Sequence, residues 1–297
     1  MNTQPQTVLV TGASTGIGRG ISEALALAGH NVFATMRNVN GKNAAAAQEL
    51  KTFAKENNVS IQVVEMDVTD DASVSDAVDA VLASAGSIDV LVNNAGVMTI
   101  GVSEALSMQQ VQQMYDVNVL GAFRVTQAVL PHMRERGEGY LVYISSTASL
   151  IVFPFMGMYS STKAAFSSMA EALYYETYSL GIDTSIIQCG GYATALSSNV
   201  MVGNRPNVVE HYGMSGMIGN AVVNGFAQNL AAAGNPRQVG EVIADLMTRP
   251  SGERPLHQPA GPFSEMVFNV NEAHEATQEQ VLVALQLDAL VKRPETA

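Results

Sequence analysis

The stretch Thr7-Val-Leu-Val-Thr-Gly-Ala-Ser-Thr-Gly-Ile-Gly18 decides the fold. An apolar, β-branched run enters a glycine-rich turn, and a helical pattern follows from Ile17. Gly12, Gly16 and Gly18 leave the backbone free to approach a pyrophosphate, whose charge suits the amides and positive dipole of a helix N-terminus. Ser14, Thr15 and Ile17 complete the candidate nucleotide loop. The spacing is G-x-x-x-G-x-G rather than G-x-G-x-x-G, and taken alone such a turn also fits a plain strand-to-helix connection.

The rhythm continues downstream. Short β-branched runs at 31–36, 60–65, 90–93, 140–144 and 184–188 alternate with amphipathic stretches near 17–28, 42–57, 72–85, 108–136 and 159–180. Alternation of this kind predicts βαβ units and a buried parallel sheet. The expected architecture is α/β: a single doubly wound Rossmann-type domain with a parallel sheet flanked by helices. A core is expected over residues 7–190. The Gly-, Asn-, Ser- and Met-rich segment 191–235 reads as a substrate lid, and a helix is predicted over Pro236–Thr248. A Pro/Gly-rich crossing (Pro250, Pro255, Pro259, Pro262) then leads to a C-terminal helical extension, 264–297, with its helix near 271–291.

Composition excludes several function classes. The 297 residues are 47% hydrophobic and 14% charged, enough to bury a large core, and the net charge is −12. No Lys/Arg-rich run offers the cationic face that nucleic acid or an anionic membrane needs. Cys189 is the only cysteine, so no intrachain disulfide is expected. Residues 1–6 carry neither a basic nor an apolar targeting region, and no long uncharged apolar run follows, which points to the cytoplasm. The five histidines (His30, His132, His211, His257, His274) show no pair at metal-ligand spacing and read as solvated or core residues, so no metal is expected.

The residues that would discriminate the cofactor lie at the end of the second predicted strand. There an acidic side chain would bond the adenosine ribose, but this sequence has Met36-Arg37. Methionine cannot accept those hydrogen bonds, whereas the Arg37 guanidinium can pair with a 2′-phosphate, which favours NADP with NAD as the alternative. A solvated strand-end charge is the plainer account of Arg37. Asp67-Val68, after the third strand, either faces the adenine or caps the following helix.

Tyr159-Ser-Ser-Thr-Lys163 sets a phenol and an ammonium on one helix face. A tyrosine has a pKa near 10, and proton exchange near neutral pH calls for an adjacent positive charge. Ser146 ends the strand 13 residues upstream, where it can hydrogen-bond a substrate oxygen or serve as a cap. Asn94, Ala95 and Gly96, in Asn93-Asn-Ala-Gly96, end another strand on the same carboxyl edge, where open α/β sheets bind ligands. Asn118 falls inside a predicted helix, either at a water-binding kink or as a surface polar residue.

These motifs, in this order, resemble the short-chain dehydrogenase/reductase family over residues 7–195. Ala34-Thr-Met-Arg37 and Ile187-Gln-Cys-Gly190 are most similar to its 17β-hydroxysteroid dehydrogenase (estradiol/retinol) group. The resemblance implies Tyr159 as acid/base, Lys163 lowering its pKa while bonding the nicotinamide ribose, and Ser146 orienting a carbonyl. It implies Asn118 holding a proton-relay water, Asn94 near the adenosine ribose and Thr194 at the nicotinamide carboxamide. Two departures stand out. Cys189-Gly190 replaces the family's usual Pro-Gly, and Thr15 occupies a loop position that is basic in many NADP-using members.

The expected activity is hydride transfer between NADP(H) and a secondary alcohol or ketone. Phe153, Phe155, Met156, Tyr192, Met201, Met214, Met217 and Phe226 suggest a bulky apolar substrate, steroid-like, long-chain or aromatic; packing of the lid on the core is the alternative. An NAD-linked alcohol dehydrogenase is the runner-up, and a non-catalytic nucleotide-binding regulatory protein is a third reading. Ala164, Ala165, Phe166, Met169, Ala172, Leu173 and Tyr174 give the helix of Tyr159 apolar surface on more than one side. With the resemblance, that leads us to expect a homodimer or homotetramer.

Overall fold

Seven parallel strands form one sheet in the order β3-β2-β1-β4-β5-β6-β7: β1 (Thr7–Val10), β2 (Asn31–Met36), β3 (Ile61–Glu65), β4 (Val90–Asn93), β5 (Gly139–Ser146), β6 (Ile182–Cys189) and β7 (His257–Ala260). The computed structural model describes residues 4–192, 200–229 and 234–292, with the side chains of residues 223 and 226–229 left aside. Helices α1 (Gly16–Leu27), α2 (Ala44–Asn57), α3 (Asp71–Ala85), α4 (Met108–Tyr115), α5 (Gly121–Arg136) and α6 (Gly157–Thr177) connect the first six strands. Beyond β6 come α7 (Pro206–His211), α8 (Met214–Asn229), α9 (Arg237–Thr248) and α10 (Phe268–Ala284).

Strand periodicity divides the core into two layers. Val8, Val10, Val90, Val92, Val142 and Ile144 point to one face, toward α1, α2 and α9. Leu9, Leu91, Leu141, Tyr143 and Ile186 point to the other, toward α3, α5 and α6. With both faces covered, central strands carry unbroken apolar runs. Fully buried side chains such as Leu9 and Leu91 each contribute about 1.5–3 kcal/mol of transfer free energy. Among the described residues, no helix is long and apolar enough to cross a membrane.

The strand order reverses between β1 and β4, opening a crevice at their carboxyl ends. The Thr11 amide bonds the Val92 carbonyl at 3.0 Å, so the glycine loop after β1 and the Asn93–Gly96 loop after β4 leave the sheet side by side.

The amphipathic stretch 108–136 is not one helix: a π-helical turn at Asp116–Leu120 separates α4 from α5, with the Gly121 amide reaching back to Asp116. The Pro-rich crossing contains β7, which adds to β6 with His257 beside Ile186 and Pro259 beside Gln188. Proline is tolerated there because β7 is an edge strand.

Candidate functional site

The glycines first answer to the chain itself. Gly12 and Gly16 have φ of +68° and +60°, the left-handed region that glycine occupies without strain. A Cβ on Gly18 would lie 2.3 Å from Asn94 Nδ2 and 2.5 Å from the Gly12 carbonyl. Asn94 closes this packing: its side-chain amide donates to the carbonyls of Thr11 (2.8 Å) and Gly12 (3.1 Å). The amide of Asn94 thus fastens the loop to β4 rather than reaching outward.

Thr15 stands at the N-cap of α1 in extended conformation, but its side chain makes no capping bond. The first amides of a 12-residue helix therefore meet the crevice without a side-chain partner from the cap. Ser14, Thr15, Gly16 and Ile17 all line the cavity at this point, as an anion would require. The residues present fit a dinucleotide pyrophosphate.

The cavity has a volume of about 1180 Å³ and runs from this loop to the carboxyl ends of β5 and β6. At one end are Arg37, Asp67 and Val68, with Ala95 and Gly96 along the floor. Arg37 Nη1 lies 3.8 Å from Asp67 Oδ2. Desolvation pushes the Asp67 carboxyl upward, but hydrogen bonds from the Thr69 amide and hydroxyl and the charges of Arg37 and Arg124 hold it below its ordinary value. Asp67 is not the helix cap that one sequence reading allowed: Asp70 caps α3, accepting from the Ser73 amide at 2.8 Å. Sequence reasoning missed Lys42, which lines the same end. The loop between β2 and α2 folds back through hydrogen bonds from the Gly41 and Asn43 amides to the Asn38 carbonyl. A second cation is thereby set on the cavity wall shared with Arg37.

At the other end Ser146, Tyr159, Lys163 and Cys189 line one wall. Of the two roles the sequence allowed Ser146, the structure shows the cap. Its hydroxyl caps the turn at Thr147–Ser149, accepting from the Ala148 amide at 3.1 Å, and it hydrogen-bonds Tyr159. Burial pushes the Tyr159 hydroxyl well above its ordinary pKa, opposed by Ser146 and reinforced by Cys189. Lys163 donates to the Ile144 carbonyl at 2.7 Å and sits 4.8 Å from the Phe166 ring centre. Desolvation lowers its ammonium to about 8, against a raising contribution from Cys189. Burial likewise drives the Cys189 thiol up to about 12, so it is neutral at pH 7. The loop after β6 does without proline because the Gly190 amide bonds the Ala260 carbonyl (2.9 Å) and the Gly191 amide bonds Pro262 (3.1 Å).

Asn118 lies in the π turn and is fully buried, not at the surface. Its Oδ1 accepts from the Val97 amide (2.8 Å), and its Nδ2 donates to the Val97 carbonyl (2.9 Å) and Thr162 Oγ1 (3.0 Å). The side chain thus cross-links the loop after β4, the π turn and α6. Asn118→Ala is expected to lower unfolding free energy by about 2–3 kcal/mol through the unpaired Val97 groups, as measured by urea denaturation.

Phe153, Met156, Tyr192, Met201, Phe263 and Met266 make the outer part of the cavity apolar. Phe263 and Met266, just before α10, were not anticipated. Met214 and Met217 do not face the cavity as expected; they are 78% and 74% exposed. Thr194 lies outside the described residues, as does the side chain of Phe226.

Residues 6–204 match the family model described as short chain dehydrogenase. The chain belongs to the short-chain dehydrogenases. A 3-ketodihydrosphingosine reductase of Bacteroides thetaiotaomicron is 29% identical over 265 residues, covering 89% of this chain and 91% of that protein. The 17-beta-hydroxysteroid dehydrogenase type 1 of Homo sapiens is 33% identical, covering 82% and 74% respectively, so this short-chain dehydrogenase is related to the group that the sequence resembles. A short-chain dehydrogenase structure from Streptomyces avermitilis superposes with a TM-score of 0.76 at 26% identity, covering 97% of this chain and 99% of that one. This short-chain dehydrogenase is an oxidoreductase with a seven-stranded Rossmann-like fold.

Proposed function

We propose that the enzyme reduces bulky apolar ketones to secondary alcohols with NADPH. The observation that carries this reading is one continuous cavity with two cations at one end, and the Ser146 and Tyr159 hydroxyls with apolar side chains toward the other. The similarity to proteins named for a ketosphingoid and a steroid supports an extended hydrophobic substrate.

A bound nicotinamide supplies the hydride. The α1 N-terminus holds the pyrophosphate, and Arg37 with Lys42 engages the 2′-phosphate through charge-assisted hydrogen bonds. Ser146 donates to the carbonyl oxygen of the substrate and stabilises its developing negative charge. Tyr159, kept protonated at neutral pH by burial, delivers the proton to that oxygen. Lys163 then stabilises the resulting phenolate. A relay water would be met at the π turn that carries Asn118, whose Nδ2 hydrogens are already given to Val97 and Thr162. Tyr192, Met201 and Val222, with Phe263 and Met266 before α10, cover the substrate end as a lid. The exposed parts of α6 suit a homodimer or homotetramer.

The direct test is NADPH consumption with a panel of long-chain, steroid and aromatic ketones against sugars and polyols. Higher kcat/KM for the apolar set supports the reading, and equal efficiency on polyols rejects the substrate class. The pH dependence follows from Lys163. Its lowered pKa means that kcat/KM for NADPH, which reports the free enzyme, falls above about pH 8 as the ammonium is lost. Tyr159, shifted in the opposite direction, does not titrate there. A profile flat through this range contradicts the assignment.

A further inference from the structure

We propose that Glu171, His257 and His274 form a binding site for a zinc-like divalent cation that joins the C-terminal helix to the helix of Tyr159 and Lys163. The three residues come from α6, β7 and α10, and one ligand atom from each lies within 4.8 Å of the others. Both histidines read as isolated in the sequence, because 17 residues and a change of element separate them. The pairing of β7 with β6 and the contact of His274 on α10 with Glu171 on α6 bring them together.

The geometry is that of a metal site needing only small side-chain adjustments. His274 Nε2 is 2.9 Å from Glu171 Oε2, and His257 Nε2 is 3.9 Å from that oxygen. Zinc bonds of about 2.0–2.2 Å give a tetrahedral edge of about 3.3–3.6 Å, between these two values. The imidazoles stand edge to face, with centres 5.7 Å apart at 81°.

His274 Nε2 is within hydrogen-bond distance of Glu171, whereas His257 is paired through Nδ1 and leaves its Nε2 3.9 Å from Glu171 Oε2, beyond hydrogen-bond distance. The His257 side chain is only 6% exposed, and Glu275 Oε1 lies 3.0 Å from its Nδ1. A carboxylate on the far nitrogen fixes the tautomer that leaves the Nε2 lone pair facing the cluster, an arrangement typical of metal-binding histidines. The Tyr175 hydroxyl also donates to Glu171, at 3.3 Å. Two imidazoles and one carboxylate select zinc or a neighbouring transition metal over magnesium or calcium. The His274 side chain is 40% exposed, which provides the entry path and room for a water as fourth ligand.

The test is calorimetric titration of the chelator-stripped full chain with zinc chloride, followed by cobalt(II) substitution. The expected result is one zinc per chain, a visible cobalt band of tetrahedral type, and a rise in Tm with zinc. His274→Gln and Glu171→Gln should abolish all three while leaving the far-UV circular dichroism unchanged, and Glu275→Gln should weaken binding about 10–100-fold. His274 and Glu171 are the variants to rely on if His257→Ala fails to fold. Failure of the wild-type chain to take up stoichiometric zinc overturns the proposal, as does undiminished uptake by folded His274→Gln.

Discussion

Tyr159→Phe is expected to lower kcat for ketone reduction by about 10²–10⁴-fold, the range a positioned general acid contributes. The substitution removes one oxygen and keeps the ring, whose burial against Met98, Ile100, Met114 and Ala148 holds this part of α6 in place. Folding and NADPH affinity should therefore be close to wild type, which separates loss of the acid from loss of the site. The Ser146 hydroxyl keeps its cap on the Ala148 amide in the variant, so the neighbouring turn has no reason to move. Substantial turnover with the variant would show that the proton comes from elsewhere.

The second large effect concerns the cofactor. Arg37→Ala combined with Lys42→Ala is expected to weaken NADPH binding by about 10²-fold or more, given about 1.5–3 kcal/mol for each hydrogen bond to a charged group. NADH binding should change far less, because it carries no 2′-phosphate. Asp67 sharpens the comparison: Arg37 is already 3.8 Å from this carboxylate, so removing the arginine also relieves Asp67 of a partner. Isothermal titration of both cofactors measures the change. Equal losses for NADPH and NADH would mean that the two cations shape the loop rather than read the phosphate.

How far the site was legible follows from how local each signal is. The β1 strand, its glycine turn and α1 could be read directly, because positive-φ glycines, an apolar run and a helix pattern are all encoded within 20 residues. Tyr159 and Lys163 were equally clear, one helical turn apart. The π turn was invisible because Asp116–Leu120 holds neither glycine nor proline to mark a break, and only the Gly121-to-Asp116 bond reveals it. Four residues with an internal proline gave β7 no signal of its own; it is a strand by virtue of its pairing with β6. Lys42 joins the Arg37 end of the cavity through the Asn38 turn, and Phe263 and Met266 enter from the far end of the chain. Spacing could predict none of these, nor the meeting of His257 with His274. Asn94 and Asn118 show the converse: the sequence marks both as candidates, and in the fold their side chains hold neighbouring backbone.

The most direct test of the central claim is the initial rate of cofactor oxidation by the wild-type protein with a bulky apolar ketone, using NADPH and NADH side by side. Saturable turnover is expected, with kcat/KM at least about tenfold higher for NADPH, the effect of a single charge-assisted contact to the 2′-phosphate. Turnover that favours NADH, or none with any ketone despite NADPH binding, would contradict it.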